Sequence, residues 1–210
     1  MTQKDWYAWH ADYQVPGSVI AQRLPAVQQR IVAAFDTAAP GPIRVLSLCA
    51  GQGLDLLGVL SSHPRRGDVR ARLVELDPRN ASAARHTAQA AGLTGIEVVE
   101  TDAALVDGYA DVVPVDLLLL CGIFGNVPDA DIHTTVAAAA QLCAPGATVV
   151  WTRHRRPPDL VPTLCGWFAA HDFDLVSVSD PTEPYGVGAH RFTGRTRPLV
   201  RGARLFTFRH

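Results

Sequence analysis

The sequence predicts a doubly wound α/β domain built on a mostly parallel sheet of about seven strands. Three observations predict it. Ile43–Leu48 and Val115–Leu120 are short runs with apolar residues on both faces, as interior strands covered by helices require. Segments of helical periodicity alternate with these and weaker strand signals, which implies right-handed βαβ units. The first run also leads into the glycine-rich turn Cys49-Ala50-Gly51-Gln52-Gly53, placed between a strand and a helix.

The remaining elements follow in order. Residues 18–38 carry apolar residues at helical spacing, and residues 1–38 are expected to form a helical N-terminal cap on a core of residues 39–210. A helix over 54–61 follows the glycine turn. Strands are expected at 70–76, at Ile96–Glu100 and at 147–152. The helix over 78–91 opens on Pro78 and stops at Gly92, and Asp129–Leu142 opens on acids, as helix N-termini favour. Residues 160–170 form the last helix. Beyond it, Phe173–Val178 and residues 188–193 and 204–208 read as strands without intervening helices, hence as antiparallel pairs at one sheet edge.

Composition excludes several classes. The chain has 210 residues, 48% hydrophobic and 19% charged, with a net charge of −1. That is enough for one buried core and short for two domains. Near-neutral charge opposes a nucleic-acid binder, which needs surplus cations against phosphates. No run is long and apolar enough to span a bilayer. The four cysteines, Cys49, Cys121, Cys143 and Cys165, include no CxxC pair and sit in apolar settings, so free thiols in the cytoplasm are expected. The histidines lack metal-ligand spacing, and no metal is expected.

Ligands of such sheets bind outside the carboxyl ends of the strands. Four of those ends carry suggestive residues. At the glycine turn, backbone can approach a ligand and the next helix offers free N–H groups. Glu75 lies about 20 residues further on, where a carboxylate can accept hydrogen bonds from ribose hydroxyls. Asp102 follows the third strand and can accept from an adenine amino group or cap a helix. Cys121-Gly122-Ile123-Phe124-Gly125-Asn126 follows the apolar strand, its small residues leaving room for ligand.

In this order of turn, acid, acid and small-residue strand end, residues 40–155 resemble the class I S-adenosylmethionine-dependent methyltransferases, a Rossmann-like family. Val45 to Gly53 matches that family's first motif in frame, and Val74-Glu75-Leu76-Asp77-Pro78 its second. The resemblance implies S-adenosylmethionine as cofactor. Gly51 and Gly53, with Cys49 and Ala50, would line it. Glu75 and Leu76 would hold the ribose, Asp102 and Ala103 the adenine, and Cys121 and Gly122 would lie near the methionine part, with Tyr13 and Arg23 at its carboxylate. The family usually has an acid where this chain has Ser47 and glycine where it has Cys49; Asp55 is the expected substitute for the acid. A nicotinamide dehydrogenase is the main rival. It wants a third small residue where this chain has Leu56, which is too large for the tight helix–strand packing of dinucleotide folds.

Methyl transfer is an in-line displacement in which positioning supplies much of the acceleration, and a base is needed only for a protonated acceptor. The expected acceptor is a small molecule, the expected assembly a monomer or homodimer, and neither nucleic acid nor membrane is expected as partner. The N-terminal aromatic segment, with Trp9, His10 and Tyr13, is expected to form a lid. Just past the fifth strand, Arg153 or Arg155 is the candidate for fixing an acidic acceptor, and His154 for taking its proton. Phe124, Asn126 and Tyr185 are further acceptor-contact candidates, and His190 is a further base candidate, in a segment whose glycines suggest a turn. A non-catalytic binder of the same cofactor, or other chemistry on it, is the alternative reading.

Overall fold

The computed structural model describes residues 5–209. Residues 1–4 of the expected cap, and residue 210, lie outside the described residues. Seven strands form one sheet in the order β3-β2-β1-β4-β5-β7-β6. They are β1 (Ile43–Leu48), β2 (Val69–Glu75), β3 (Ile96–Glu100), β4 (Val115–Leu120), β5 (Cys143–His154), β6 (Phe173–Val178) and β7 (Tyr185–Phe192). The first five run parallel, with Val45 opposite Ala71 on one side and Leu117 on the other. β7 inserts antiparallel between β5 and β6. The expected antiparallel edge is therefore present, with β6 outermost.

Among the described residues the α-helices are α1 (Trp6–Trp9), α2 (Val19–Thr37), α3 (Leu54–Leu60), α4 (Pro78–Ala90), α5 (Asp129–Leu142) and α6 (Val161–Ala169). α2, α3 and α4 cover one face of the sheet and α5 and α6 the other, each with its own apolar layer. α2 shows how sequence sets this. Ser18 Oγ accepts the Ala21 amide at 3.2 Å and caps the helix. Val27, Ile31 and Phe35, four residues apart, then form its buried stripe. β1 is followed by β2 and β3 on one side and β4 on the other, so the chain reverses direction across the sheet between β1 and β4. That switch point, at the carboxyl ends of the strands, is where a doubly wound sheet leaves a crevice.

Two expectations are corrected. Residues 204–208 alternate like a strand but make only a single antiparallel bridge, Leu105 to Arg204. They form a strap outside the sheet. Its amides bond to loops, with Leu205 N–H donating to Ala104 O at 2.8 Å and Arg209 N–H to Asn126 O at 2.8 Å, while Leu205 and Phe206 bury in the core. The segment from Tyr185 is not a turn but strand β7. What its glycines let approach is the core itself: Gly186 faces Val161, and Gly188 faces the fully buried Trp151. A Cβ at Gly188 would collide with the Trp151 indole. Gly188→Ala is expected to cost about 1–3 kcal/mol by overpacking, read as a lower urea midpoint; an unchanged midpoint would show that the indole can move aside.

Candidate functional site

The glycine turn carries three left-handed residues, Cys49 at φ 53°, Gly51 at φ 57° and Gly53 at φ 70°. Only Cys49 pays for this with a side chain, at roughly 1–3 kcal/mol. The turn is tied to the neighbouring strand β2: Ala50 N–H donates to Val74 O at 3.0 Å. Glu75, at the end of β2, is 7% exposed. Its Oε2 accepts the Gly51 amide at 2.8 Å and its Oε1 the Asp77 amide at 2.9 Å. One carboxylate thus joins the turn after β1 to the N-terminus of α4, and each oxygen keeps a lone pair for a further donor.

Above this junction lies a cavity of about 610 Å³, within the size range of small-molecule and cofactor sites. Its floor is the glycine turn at Cys49, Ala50 and Gly51. Glu75, Leu76, Asp102 and Ala103 border one end, and Asp55, Cys121 and Gly122 border the other. Trp9, His10, Tyr13 and Arg23 reach it from the N-terminal segment. Fourteen residues expected from sequence are thereby gathered around one space.

Gly53 is not among them. A Cβ there would lie 2.9 Å from both Leu57 and Leu73, so this glycine serves the packing of α3 on β2. The acceptor-contact and base candidates farther along the chain also lie elsewhere. Phe124 is fully buried in the core. Arg153, 6% exposed, donates to Phe124 O. Asn126 Nδ2 donates back to Gly122 O at 2.8 Å and braces the turn after β4. Tyr185 donates to Gln22 O at 3.3 Å, under α2. His154 packs against Gly125, and its Nδ1 accepts the Arg156 amide at 3.3 Å. His190 is fully buried, with Trp151 Nε1–H donating to its Nδ1 at 3.0 Å. Of the three histidine candidates, only His10 borders the cavity.

Electrostatics divide the cavity. At one end, burial pushes the Asp55 carboxyl up, while its hydrogen bond from the Leu56 amide at 2.7 Å, the Arg23 charge and the Cys121 thiol oppose that rise. Burial also raises the Tyr13 hydroxyl, and Arg23 lowers it. Burial raises the Cys49 and Cys121 thiols well above the ordinary range, so both are neutral thiols, not nucleophiles. At the other end, Asp102 accepts the Ala104 amide at 2.9 Å and pairs with Arg204 at 2.9 Å.

The segment expected to form a lid, residues 5–14, comprises α1 and the tight turn after it. Asp5 caps α1 by accepting the Tyr7 and Ala8 amides. Arg79, in the first turn of α4, holds Asp5 at 2.8 Å and Asp77 at 2.6 Å and stacks over the Tyr7 ring at 4.8 Å. His10 Nδ1 lies 2.8 Å from Trp6 O, a contact that places the ring proton on Nδ1. Its Nε2 is left as an acceptor facing Gly51, where any added Cβ would strike it. Trp6 packs on Phe208 of the C-terminal strap, ring centroids 5.3 Å apart.

Sequence reasoning did not single out Asp77, Arg79, Asn80, Phe208 or Arg209 as site residues, and all border the cavity. Asn80 is fully buried, and its Nδ2 finds no hydrogen-bond partner among the described residues. Position in the first turn of α4, just past Glu75, was the available signal for Arg79 and Asn80. No local signal marked Phe208. Among the described residues no three side chains are grouped to hold a metal ion, and no helix is long and apolar enough to cross a membrane.

No family model and no curated protein matches the sequence. Solved structures match its fold. An O-methyltransferase family protein from Burkholderia thailandensis superposes with a TM-score of 0.65 at 18% identity, over 90% of this chain and 62% of that one. An O-methyltransferase family 2 protein from Planctomyces limnophilus, in complex with apigenin, gives 0.61 at 17%, over 91% and 62%. An RNA methyltransferase from Salinibacter ruber, in complex with S-adenosyl-L-homocysteine, gives 0.56 at 17%, over 82% and 94%. The chain thus spans less than two thirds of the length of the two O-methyltransferase family proteins. With its strand order, its antiparallel β7 and these likenesses, the chain has the fold of the class I S-adenosylmethionine-dependent methyltransferases.

Proposed function

We propose that this protein is an S-adenosylmethionine-dependent methyltransferase acting on a small-molecule acceptor. The observation that carries the reading is Glu75, a buried carboxylate that locks the Gly51 turn yet keeps one lone pair on each oxygen beside a roofed cavity. The residues fit the cofactor. Glu75 suits two ribose hydroxyls, and the unpartnered Asn80 amide supplies a donor next to it. Asp102 suits the adenine amino group, and Asp55 with Arg23 offers one charge of each sign for an ammonium and a carboxylate. Asp55 thereby takes the task that Ser47, buried inside β1, cannot perform.

When bound, the cofactor supplies a methyl group activated on a sulfonium. The chain does the rest. The Cys49-to-Gly53 turn and Glu75 fix orientation, and the lid excludes water. His10 Nε2, its tautomer set by Trp6 O, accepts the proton of an acceptor that carries one. A roof of Trp6, Trp9 and Phe208 and a net charge of −1 support a small acceptor over RNA. The four free cysteines support a reducing, cytoplasmic setting.

A methyl-transfer screen across acceptor classes, read by mass spectrometry, tests the reading. Transfer to a small molecule is expected, and His10→Ala should lower kcat by about 10²-fold on a hydroxyl acceptor at neutral pH. Binding of the cofactor with no transfer to any acceptor would instead favour a non-catalytic binder. Full turnover by His10→Ala would remove His10 as the base.

A further inference from the structure

Resting on that reading, we infer that the acceptor is a planar aromatic molecule bearing an anionic group, its ring seated beneath the Trp6–Phe208 pair and its anion on Arg209. The strap places these residues. Arg209 N–H donates to Asn126 O at 2.8 Å, and Asn126 in turn braces Gly122 at 2.8 Å. Phe208 and Arg209 are therefore pinned beside the end of β4, at the Cys121–Gly122 border of the cavity, away from the Asp102 end. Trp6 meets Phe208 from the lid at 5.3 Å, and Trp9 lies edge-on to Trp6 at 6.0 Å. The cavity roof over the end of β4 is thus aromatic and made jointly by the two ends of the described chain. Aromatic faces of this kind favour a flat ring, packed in offset or edge-on fashion.

The cations select the anion. Three arginines border the cavity. Arg79 is committed to Asp5 and Asp77 at 2.8 and 2.6 Å. Arg23 acts on Asp55 and Tyr13. Arg209 is exposed, and it meets Asp129 at 3.5 Å, a carboxylate it shares with Arg153 at 3.9 Å. A guanidinium so placed can take a carboxylate in the forked geometry that makes such pairs strong.

The test uses protein saturated with S-adenosylhomocysteine and three probes: 4-hydroxybenzoate, its methyl ester, and the saturated 4-hydroxycyclohexanecarboxylate. Affinities come from titration calorimetry. The aromatic acid is expected to bind about tenfold more tightly than the ester, the order of one charge-assisted contact, and several-fold more tightly than the saturated acid, the order of one aromatic contact. Arg209→Gln should erase the preference for acid over ester and keep that for aromatic over saturated. Phe208→Ala should do the reverse, so each variant carries its own internal control. Equal binding of the three probes, binding of none, or unchanged preferences in both variants would overturn the acceptor assignment alone. Failure of S-adenosylhomocysteine to bind at all would overturn the cofactor reading and this inference with it.

Discussion

Replacing Glu75 by alanine is expected to raise the dissociation constant for S-adenosylmethionine by at least about a hundredfold. The carboxylate would lose two hydrogen bonds to the ribose, each worth roughly 1.5–3 kcal/mol when one partner is charged, and a factor of ten in affinity corresponds to about 1.4 kcal/mol. The same change frees the Gly51 and Asp77 amides, now bonded to Glu75 at 2.8 and 2.9 Å. The turn loosens, and the protein loses stability as well as affinity. Glu75→Gln separates the two effects in part. It keeps the shape, but one terminal atom becomes a donor facing an N–H, so affinity should fall between wild type and alanine. Equilibrium dialysis with labelled cofactor and a thermal melt give both readouts. Wild-type affinity in Glu75→Ala would show that the ribose is not held there.

The second large effect concerns acid stability and centres on His190. Its ring is stacked on Phe168 at 4.5 Å and on Trp151 at 6.0 Å, and its Nδ1 accepts from Trp151, which puts the proton on Nε2. That Nε2 has no partner among the described residues. Burial pushes the group from an ordinary 6.5 down to about 4. Because the folded value is depressed, the unfolded chain takes the proton first as pH falls. The stabilisation is therefore fully present above about pH 6.5 and is lost progressively toward pH 4. Linkage gives a loss on the order of 2 kcal/mol between pH 7 and pH 5 from this group alone. His190→Leu removes the titration, at the cost of the Trp151 acceptor. The variant should be less stable than wild type at pH 7 and should close that gap by about 2 kcal/mol at pH 5. Parallel pH profiles of chemical denaturation in the two proteins would rule out His190 as the source.

Much of this architecture was legible because burial on both faces leaves a continuous apolar run. β1, β3, β4 and β6 match their expected bounds, as does α5. The helices 18–38, 54–61, 78–91 and 160–170 came within a residue at each end. The gathering of Cys49, Glu75, Asp102 and Cys121 around one cavity was legible for a related reason: residues at the carboxyl ends of parallel strands converge whatever the rest of the chain does.

What was not legible depended on distant partners. β5 runs to His154 because β7 extends its ladder, pairing Arg153 with Gly186 and His154 with Tyr185. That ladder carries Arg153 away from the open loop in which its charge made it a ligand candidate. His190 read as a possible base because a histidine in a strand carries no local sign of burial; Gly188, two residues earlier, leaves the space that Trp151 fills. The lid is fixed by Asp5 and Arg79, 74 residues apart. The roof is completed by Phe208, hidden in a segment whose alternation imitates a strand.

The crevice between the glycine turn, Glu75 and the lid is proposed as the site for S-adenosylmethionine. A crystal structure of the protein grown with S-adenosylhomocysteine tests it most directly. The ribose hydroxyls are expected on both oxygens of Glu75, the adenine beside Asp102 and Ala103, and the amino-acid end between Asp55 and Arg23 under the lid. A ligand bound elsewhere, or a cavity left empty at saturating ligand, would contradict it.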